Sequence, residues 1–85
     1  VGVKAHPNPF NTFTTITYTI PTSSRVRIVA TDLLGRHVST LVDGEVKPAG
    51  SHSIQFAAEN LASGTYLIRV EAERFLGTQR VVLLK

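Results

Sequence analysis

The sequence predicts an all-β fold, an immunoglobulin-like antiparallel β-sandwich of about seven strands. Apolar and polar residues alternate in several short segments, and this period of two is typical of strands with one buried face. Clusters of Gly, Pro, Ser and Asp separate these segments at regular intervals. No segment has the periodicity of a helix. The 85 residues are sufficient for a single domain over positions 1–85, with a modest core and no stabilising metal.

Four segments carry the alternation most clearly. Residues 14–20 place Ile16, Tyr18 and Ile20 on one face and threonines on the other. The same pattern occurs at residues 25–30, 53–56 and 66–73. A short strand before Pro7 and a last strand over residues 79–84 bring the predicted total to about seven.

Residues 32–36 predict a hairpin with a three-residue loop. Leu33 and Leu34 occupy a type I turn in this interpretation, and Gly35 takes the left-handed conformation of a G1 bulge. Asp32 and Arg36 then face each other across the first rung, where opposite charges contribute modestly. The pair Asp43-Gly44 gives a second turn signal, or opens a loop that runs to residue 50.

The segment after the first strand contains two prolines. Pro7 and Pro9 fix the backbone and lack N–H donors, so we expect this segment to end the first strand and not to pair as a ladder strand. Asn8 and Asn11 suit turns made by side-chain-to-backbone hydrogen bonds. Phe10 is then free to close one end of the sandwich. A rigid crossover of this kind suits any such fold.

The last segment is apolar on both faces. Val81 and Leu83 share one face, and Val82 and Leu84 share the other. Either a loop covers the outer face, or that face is open to a partner and Lys85 limits uncontrolled edge pairing. An exposed last strand is also able to pair with that of a second copy.

The sequence offers few parts for catalysis, so we expect no enzymatic activity, no cofactor and no metal site. It has no cysteine, and His6, His37 and His52 lack metal-binding spacing. His52 shares a face with apolar residues and is expected at the rim of the core. Asp43 and Glu45 alone make a weak calcium site.

Charge and composition exclude other classes of function. The net charge is +3, but the arginines are scattered and no aromatic residues interleave with them, which argues against nucleic-acid binding. No apolar run approaches the ~20 residues that span a bilayer. The sequence contains no methionine, so we expect a piece of a longer protein.

The ordered set of motifs resembles a known family. The segments HPNPFN, VRIVATDLLGRHVSTLVDGE, PAGSHSIQF, NLASGTYLIRV and QRVVLLK occur in this order. Together they resemble the C-terminal sorting domain (type A, Por-type) of type IX secretion system cargo proteins, found in Bacteroidota. The resemblance covers the whole chain and implies a seven-stranded immunoglobulin-like domain.

The resemblance also implies a function in protein secretion. The attached cargo passes through the periplasm and is recognised there through this domain, and type IX shuttle and translocon proteins then carry it across the outer membrane. A sortase-like cysteine peptidase at the cell surface typically removes the domain, and the cargo ends on the surface or is secreted. The domain is an address label in this scheme and not a catalyst.

Residues are carried over from the family by position. Its motif residues fall on Pro7, Asn8, Pro9, Phe10, Asn11, Asp32, Gly35, Arg36, Leu61, Gly64 and Tyr66. The expected recognition signal is Arg80, Val82, Leu84 and Lys85. Two positions depart from the family pattern, because His6 stands where an aromatic residue is common and Thr12 where a proline is common.

Two alternative functions stay open at this point. A passive immunoglobulin-like accessory, spacer or adhesive module shares the DLLGR and SGTY motifs. A carbohydrate-binding module needs a row of exposed aromatic rings. Only Phe10, Phe13 and Phe75 are available for it, because the other aromatic residues occupy strand positions whose side chains alternate toward the core.

Overall fold

The computed structural model describes residues 2–85 and arranges them in seven strands and two sheets, without a helix. The strands are β1 (Val3–His6), β2 (Phe13–Ile20), β3 (Ser24–Asp32), β4 (His37–Lys47), β5 (Gly50–Ala57), β6 (Gly64–Ala72) and β7 (Phe75–Leu83). One sheet has the order β1-β2-β5 and the other β4-β3-β6-β7. All pairings between these strands are antiparallel, which confirms the predicted β-sandwich.

The core lies between the two sheets and is built from the residues that alternate inward in the sequence. Ile16, Tyr18 and Ile20 of β2 are buried, whereas the threonines between them are only half-buried. The facing sheet contributes Val26, Ile28, Ala30, Ile68, Val70, Val81 and Leu83. Each large apolar side chain that leaves water contributes about 1.5–3 kcal/mol, so this set stabilises the sandwich without metal or disulfide.

The fourth strand corrects the prediction of a turn at Asp43-Gly44. Both residues lie inside β4, where Val26 pairs with Glu45 and Arg27 pairs with Asp43, so Gly44 is the extra residue of a β-bulge. Gly44 has φ = 75°, a conformation that glycine adopts without a steric penalty. Three such irregularities interrupt β4 and abolish its period of two.

The last strand is longer at its start than the sequence predicts. β7 begins at Phe75 and ends at Leu83, so Leu84 lies just beyond it. Ala72 pairs with Phe75, which leaves Glu73 and Arg74 as a two-residue turn. Arg74 adopts φ = 62° there. Neither turn residue is Gly, Asn or Asp, so the usual sequence signal of a tight hairpin is missing.

The hairpin between β3 and β4 agrees with its prediction. The Gly35 N–H donates to the Asp32 carbonyl at 3.1 Å, and Gly35 has φ = 83°. The Asp32 carboxylate accepts hydrogen bonds from the N–H groups of Leu34 and Arg36, each at 2.9 Å, and from Arg36 Nε at 2.7 Å. The hydrogen bond from the Arg36 N–H is the largest cause that holds the pKa of Asp32 below its ordinary value. Burial opposes it as the second-largest cause, and the Arg36 guanidinium and the Leu34 N–H lower the pKa further.

These bonds make the hairpin sensitive to acid. Because the carboxyl has a lowered pKa in the folded state, the folded state binds fewer protons than the unfolded chain, and the stabilisation is lost as pH falls through that lowered pKa. We expect Asp32→Ala to lower the free energy of unfolding at neutral pH, and this deficit to shrink below about pH 4. Urea unfolding across pH measures it, with Asp43→Ala as the control for the loss of one carboxylate. If the loss in the free energy of unfolding of Asp32→Ala does not change with pH, the ionised Asp32 carboxylate does not stabilise the hairpin.

Candidate functional site

The crossover from β1 to β2, residues 7–12, lies along the outer edge of the second half of β7. The Asn8 carboxamide makes two of the contacts: its Nδ2 donates to the Arg80 carbonyl, and its Oδ1 accepts the Val82 N–H, both at 2.9 Å. Pro7 and Pro9 on either side have no N–H to offer. The side-chain amide of Asn8 therefore occupies the place of a backbone peptide in the ladder.

Phe10 continues the same ladder with its backbone. Its N–H donates to the Val82 carbonyl and its carbonyl accepts the Leu84 N–H, both at 2.9 Å, and Phe10 forms a parallel bridge with Leu83. As predicted, the proline segment ends β1 at His6 and forms no ladder strand of its own. The sequence did not indicate that the Phe10 backbone and the Asn8 side chain would still bond to β7. The prediction that Phe10 closes one end of the sandwich is confirmed, because Phe10 is 3% exposed and its ring lies 5.9 Å from the ring of Phe56.

The crossover is also anchored to the other sheet. The buried Thr14 donates its hydroxyl to the Pro7 carbonyl at 2.7 Å, and the Ala58 N–H donates to the Thr12 carbonyl at 2.9 Å. Asn11 is exposed and only its side chain accepts a bond, from the Thr12 hydroxyl at 3.2 Å. Neither asparagine makes the local side-chain-to-backbone turn that was predicted, since Asn8 binds the distant β7.

The loop before β6 fixes the end of the chain from the other side. The Tyr66 hydroxyl donates to the Ala62 carbonyl at 2.6 Å, an arrangement similar to the tyrosine corner of immunoglobulin-like domains. The Ser63 hydroxyl accepts the Lys85 N–H at 2.9 Å. The backbone of residues 80–85 is thus held by β6, by the crossover and by this loop.

The family motif residues meet at one end of the sandwich. Asp32 pairs with Tyr66 across β3 and β6, and Tyr66 pairs with Val81 across β6 and β7. Gly64 pairs with Leu83, which in turn bridges to Phe10. The hairpin at Asp32, the glycine-aromatic motif and the proline segment therefore surround the C-terminal end of β7.

The four expected recognition residues differ in accessibility. Arg80 and Lys85 are exposed, Val82 is half-buried beside the crossover, and Leu84 is 58% exposed. Both expectations for the outer face apply in part, since the crossover covers Val82 and leaves Leu84 open. A shallow depression of about 360 Å³ lies beside Leu84 and is lined by Pro7, Pro9, Phe10 and Asn11.

His52, Asp43 and Glu45, which the sequence offers as candidates, have structural partners. His52 stacks on Tyr18 at 5.4 Å and bonds the Pro48 carbonyl at 2.7 Å, at the expected rim of the core. Burial raises the pKa of Tyr18. The two carboxylates of the weak calcium prediction lie beside cations, Asp43 at 3.8 Å from Arg27 and Glu45 at 3.3 Å from Lys47.

Metal, membrane-spanning and carbohydrate sites can be compared with the geometry of residues 2–85. In that range no three His, Asp or Glu side chains lie close enough to hold a metal ion. No helix in the described part of the chain is long and apolar enough to span a bilayer. Of the three aromatic rings available for carbohydrate binding, Phe10 is buried and Phe75 packs against the core. Phe13 is exposed.

The Asn8 contacts give a testable prediction. Asn8→Ala leaves the Val82 N–H without its protein partner and removes one of the two donors to the Arg80 carbonyl, the other being Gln79 Nε2 at 2.8 Å, and we expect a loss of about 1–2 kcal/mol in the free energy of unfolding. Asn11→Ala is the matched control, because Asn11 makes no contact with β7. Urea unfolding of the two variants measures the difference. Equal stability of both variants contradicts this role of Asn8.

Comparison with known proteins identifies a family. Residues 4–84 match the family described as "Secretion system C-terminal sorting domain". No curated protein and no solved structure gives a significant match. The match covers nearly the whole chain and includes the proline segment, the hairpin and the end of β7. This chain is therefore a member of the secretion system C-terminal sorting domain family.

Proposed function

We propose that the secretion machinery recognises this domain by direct protein–protein contact with its C-terminal end, residues 80–85. Family membership makes the chain a C-terminal sorting signal of type IX secretion, which directs its protein to the cell surface or outside. The family is not a catalytic one.

The observation that carries the proposal is an apolar side chain held exposed on a fixed backbone. The Leu84 N–H is bonded to the Phe10 carbonyl and the Lys85 N–H to Ser63 Oγ, yet the Leu84 side chain is 58% exposed. A fixed backbone presents the side chain in one orientation, so a partner loses little conformational entropy on binding it. The depression lined by Pro7, Pro9 and Asn11 extends the apolar surface around Leu84.

The mode of contact follows from which groups are free. Strand addition to a sheet edge needs free N–H and C=O groups on that edge. In the second half of β7 these groups are bonded to Asn8 and Phe10. The proposal therefore assigns recognition to side chains: an apolar recess of the partner receives Leu84, and an acidic group faces Lys85. Val82 and Arg80 lie at the border of this surface.

The partners in this proposal are the type IX shuttle and translocon proteins, met during passage through the periplasm. A sortase-like cysteine peptidase acts afterwards, with the domain as its substrate. The accessory-module interpretation has less support, because it gives no role to an exposed leucine held at the C-terminal end.

A transport assay tests the recognition residues. Deleting residues 81–85 is unsuitable, because Val81 and Leu83 are fully buried and their loss damages the core. Leu84→Ala changes an exposed residue instead, and Leu76→Ala is a matched control because Leu76 in β7 is 61% exposed. Each is fused to a periplasm-targeted fluorescent protein in a bacterium with a working type IX system.

We expect Leu84→Ala to reduce surface and extracellular fluorescence by about tenfold, since the lost apolar contact is worth roughly 1.5–2 kcal/mol. Leu76→Ala is expected to be exported like the unmodified domain, and both variants to keep its melting temperature. A second variant combines Leu84→Ala with deletion of Lys85. Normal export of this double variant contradicts the assignment of recognition to Leu84 and Lys85. Retention of the unmodified fusion in a folded state contradicts the sorting function itself.

A further inference from the structure

The sandwich has four edge strands, and natural β-proteins protect such edges against pairing with other chains. The edges are β1 and β5 in one sheet and β4 and β7 in the other. β1 has only four residues and is followed at once by Pro7. The crossover covers the second half of β7.

The edge strand β4 is protected in another way. Its three register irregularities break the regular spacing of backbone groups that a partner strand needs. It also carries Asp43, Glu45 and Lys47, whose charges resist burial in a new pairing.

β5 has none of these protections. It runs for eight residues, Gly50–Ala57, and pairs with β2 without a register shift. It contains no proline and no Asp, Glu, Lys or Arg. Its sequence GSHSIQFA is neutral apart from His52. A regular, uncharged edge strand is the arrangement that natural sheets usually avoid when the edge has no partner.

The free backbone groups of β5 follow from the ladder. The Ala58 N–H donates to the Thr12 carbonyl, and bonding alternates along an antiparallel pair, so the even-numbered residues of β5 bond to β2. The odd-numbered residues, Ser51, Ser53, Gln55 and Ala57, therefore direct their N–H and C=O groups to the open edge. All four are exposed, and no backbone bond outside the ladders uses them within residues 2–85.

We propose that β5 pairs antiparallel with β5 of a second copy of this chain. The argument for a second copy is that the strand is complementary to itself. With the two-fold axis at Ile54, Ser53 faces Gln55 and His52 faces Phe56 of the other copy, and the two Ile54 side chains meet. No rung opposes like charges, and the half-buried Ile54 and His52 become covered.

The pairing produces one continuous six-stranded sheet with the order β1-β2-β5-β5-β2-β1. The interface is isologous and closes at two copies. One strand pair buries little area, so the association is weak and needs a high concentration. β1 packs beside β7 and β4 beside β5, so β5 and β7 lie at opposite edges of the sandwich. The C-terminal surface stays open in the dimer, and this inference is independent of the proposed function.

The experiment combines sedimentation velocity with amide chemical shifts of the isolated domain over a concentration series up to about 1 mM. Ser53→Pro removes an N–H that faces the open edge and leaves the backbone bonds to β2 intact, although the weak contact of the Ser53 and Thr17 hydroxyls is lost. Ser53→Lys places a charge on the same edge and serves if the proline variant does not fold. Thr78→Lys is the control, an exposed threonine in the middle of β7.

We expect the unmodified domain and Thr78→Lys to form dimers as concentration rises, with shift changes centred on residues 51–57. Both Ser53 variants are expected to stay monomeric at the same concentrations. A domain that is monomeric throughout the series overturns the proposal. Dimers that survive Ser53→Lys, or shift changes centred on β4 or β7, overturn it as well.

Discussion

The hydrogen bonds between the crossover and β7 are the constraint on which the C-terminal end depends. Four backbone groups of β7 and its extension, from the Arg80 carbonyl to the Leu84 N–H, are bonded to Asn8 and Phe10. Without them, the outer edge of β7 would be a row of unpaired groups ending in an apolar tail, a template for uncontrolled pairing. With them, the same residues form a closed edge that presents Leu84 and Lys85.

The prolines explain why an asparagine stands between them. Pro7 and Pro9 cannot donate to a ladder, and this prevents the crossover from becoming a full strand that competes with the pairing of β1 or β2. The carboxamide of Asn8 restores one donor and one acceptor in the place of the missing peptide group. The segment is thus stiff, closes the edge over a short length, and still inserts Phe10 between the sheets against Phe56.

Local patterns predicted the parts of this fold whose partners are near in sequence. The alternation in β2 gave its buried face, and Gly35 marked the left-handed position of a hairpin whose contacts span at most four residues. β4 was not delimited, because its three bulges remove the period of two. The role of Asn8 was not predicted either, since its partners lie 72 and 74 residues away and its local context indicated only a turn. The resemblance to the family predicts the motif residues, and the structure gives the contacts that join them.

Hydrogen exchange of the β7 amides tests the central claim most directly. The N–H groups of Val82 and Leu84 and those of Leu76 and Thr78 all face the same outer edge, by the alternation of the ladder, but the crossover covers only the first pair. The account predicts slow exchange at Val82 and Leu84, close to that of the amides between β6 and β7, and fast exchange at Leu76 and Thr78. Equally fast exchange at all four positions would show that the crossover does not hold the C-terminal end, and would contradict the account.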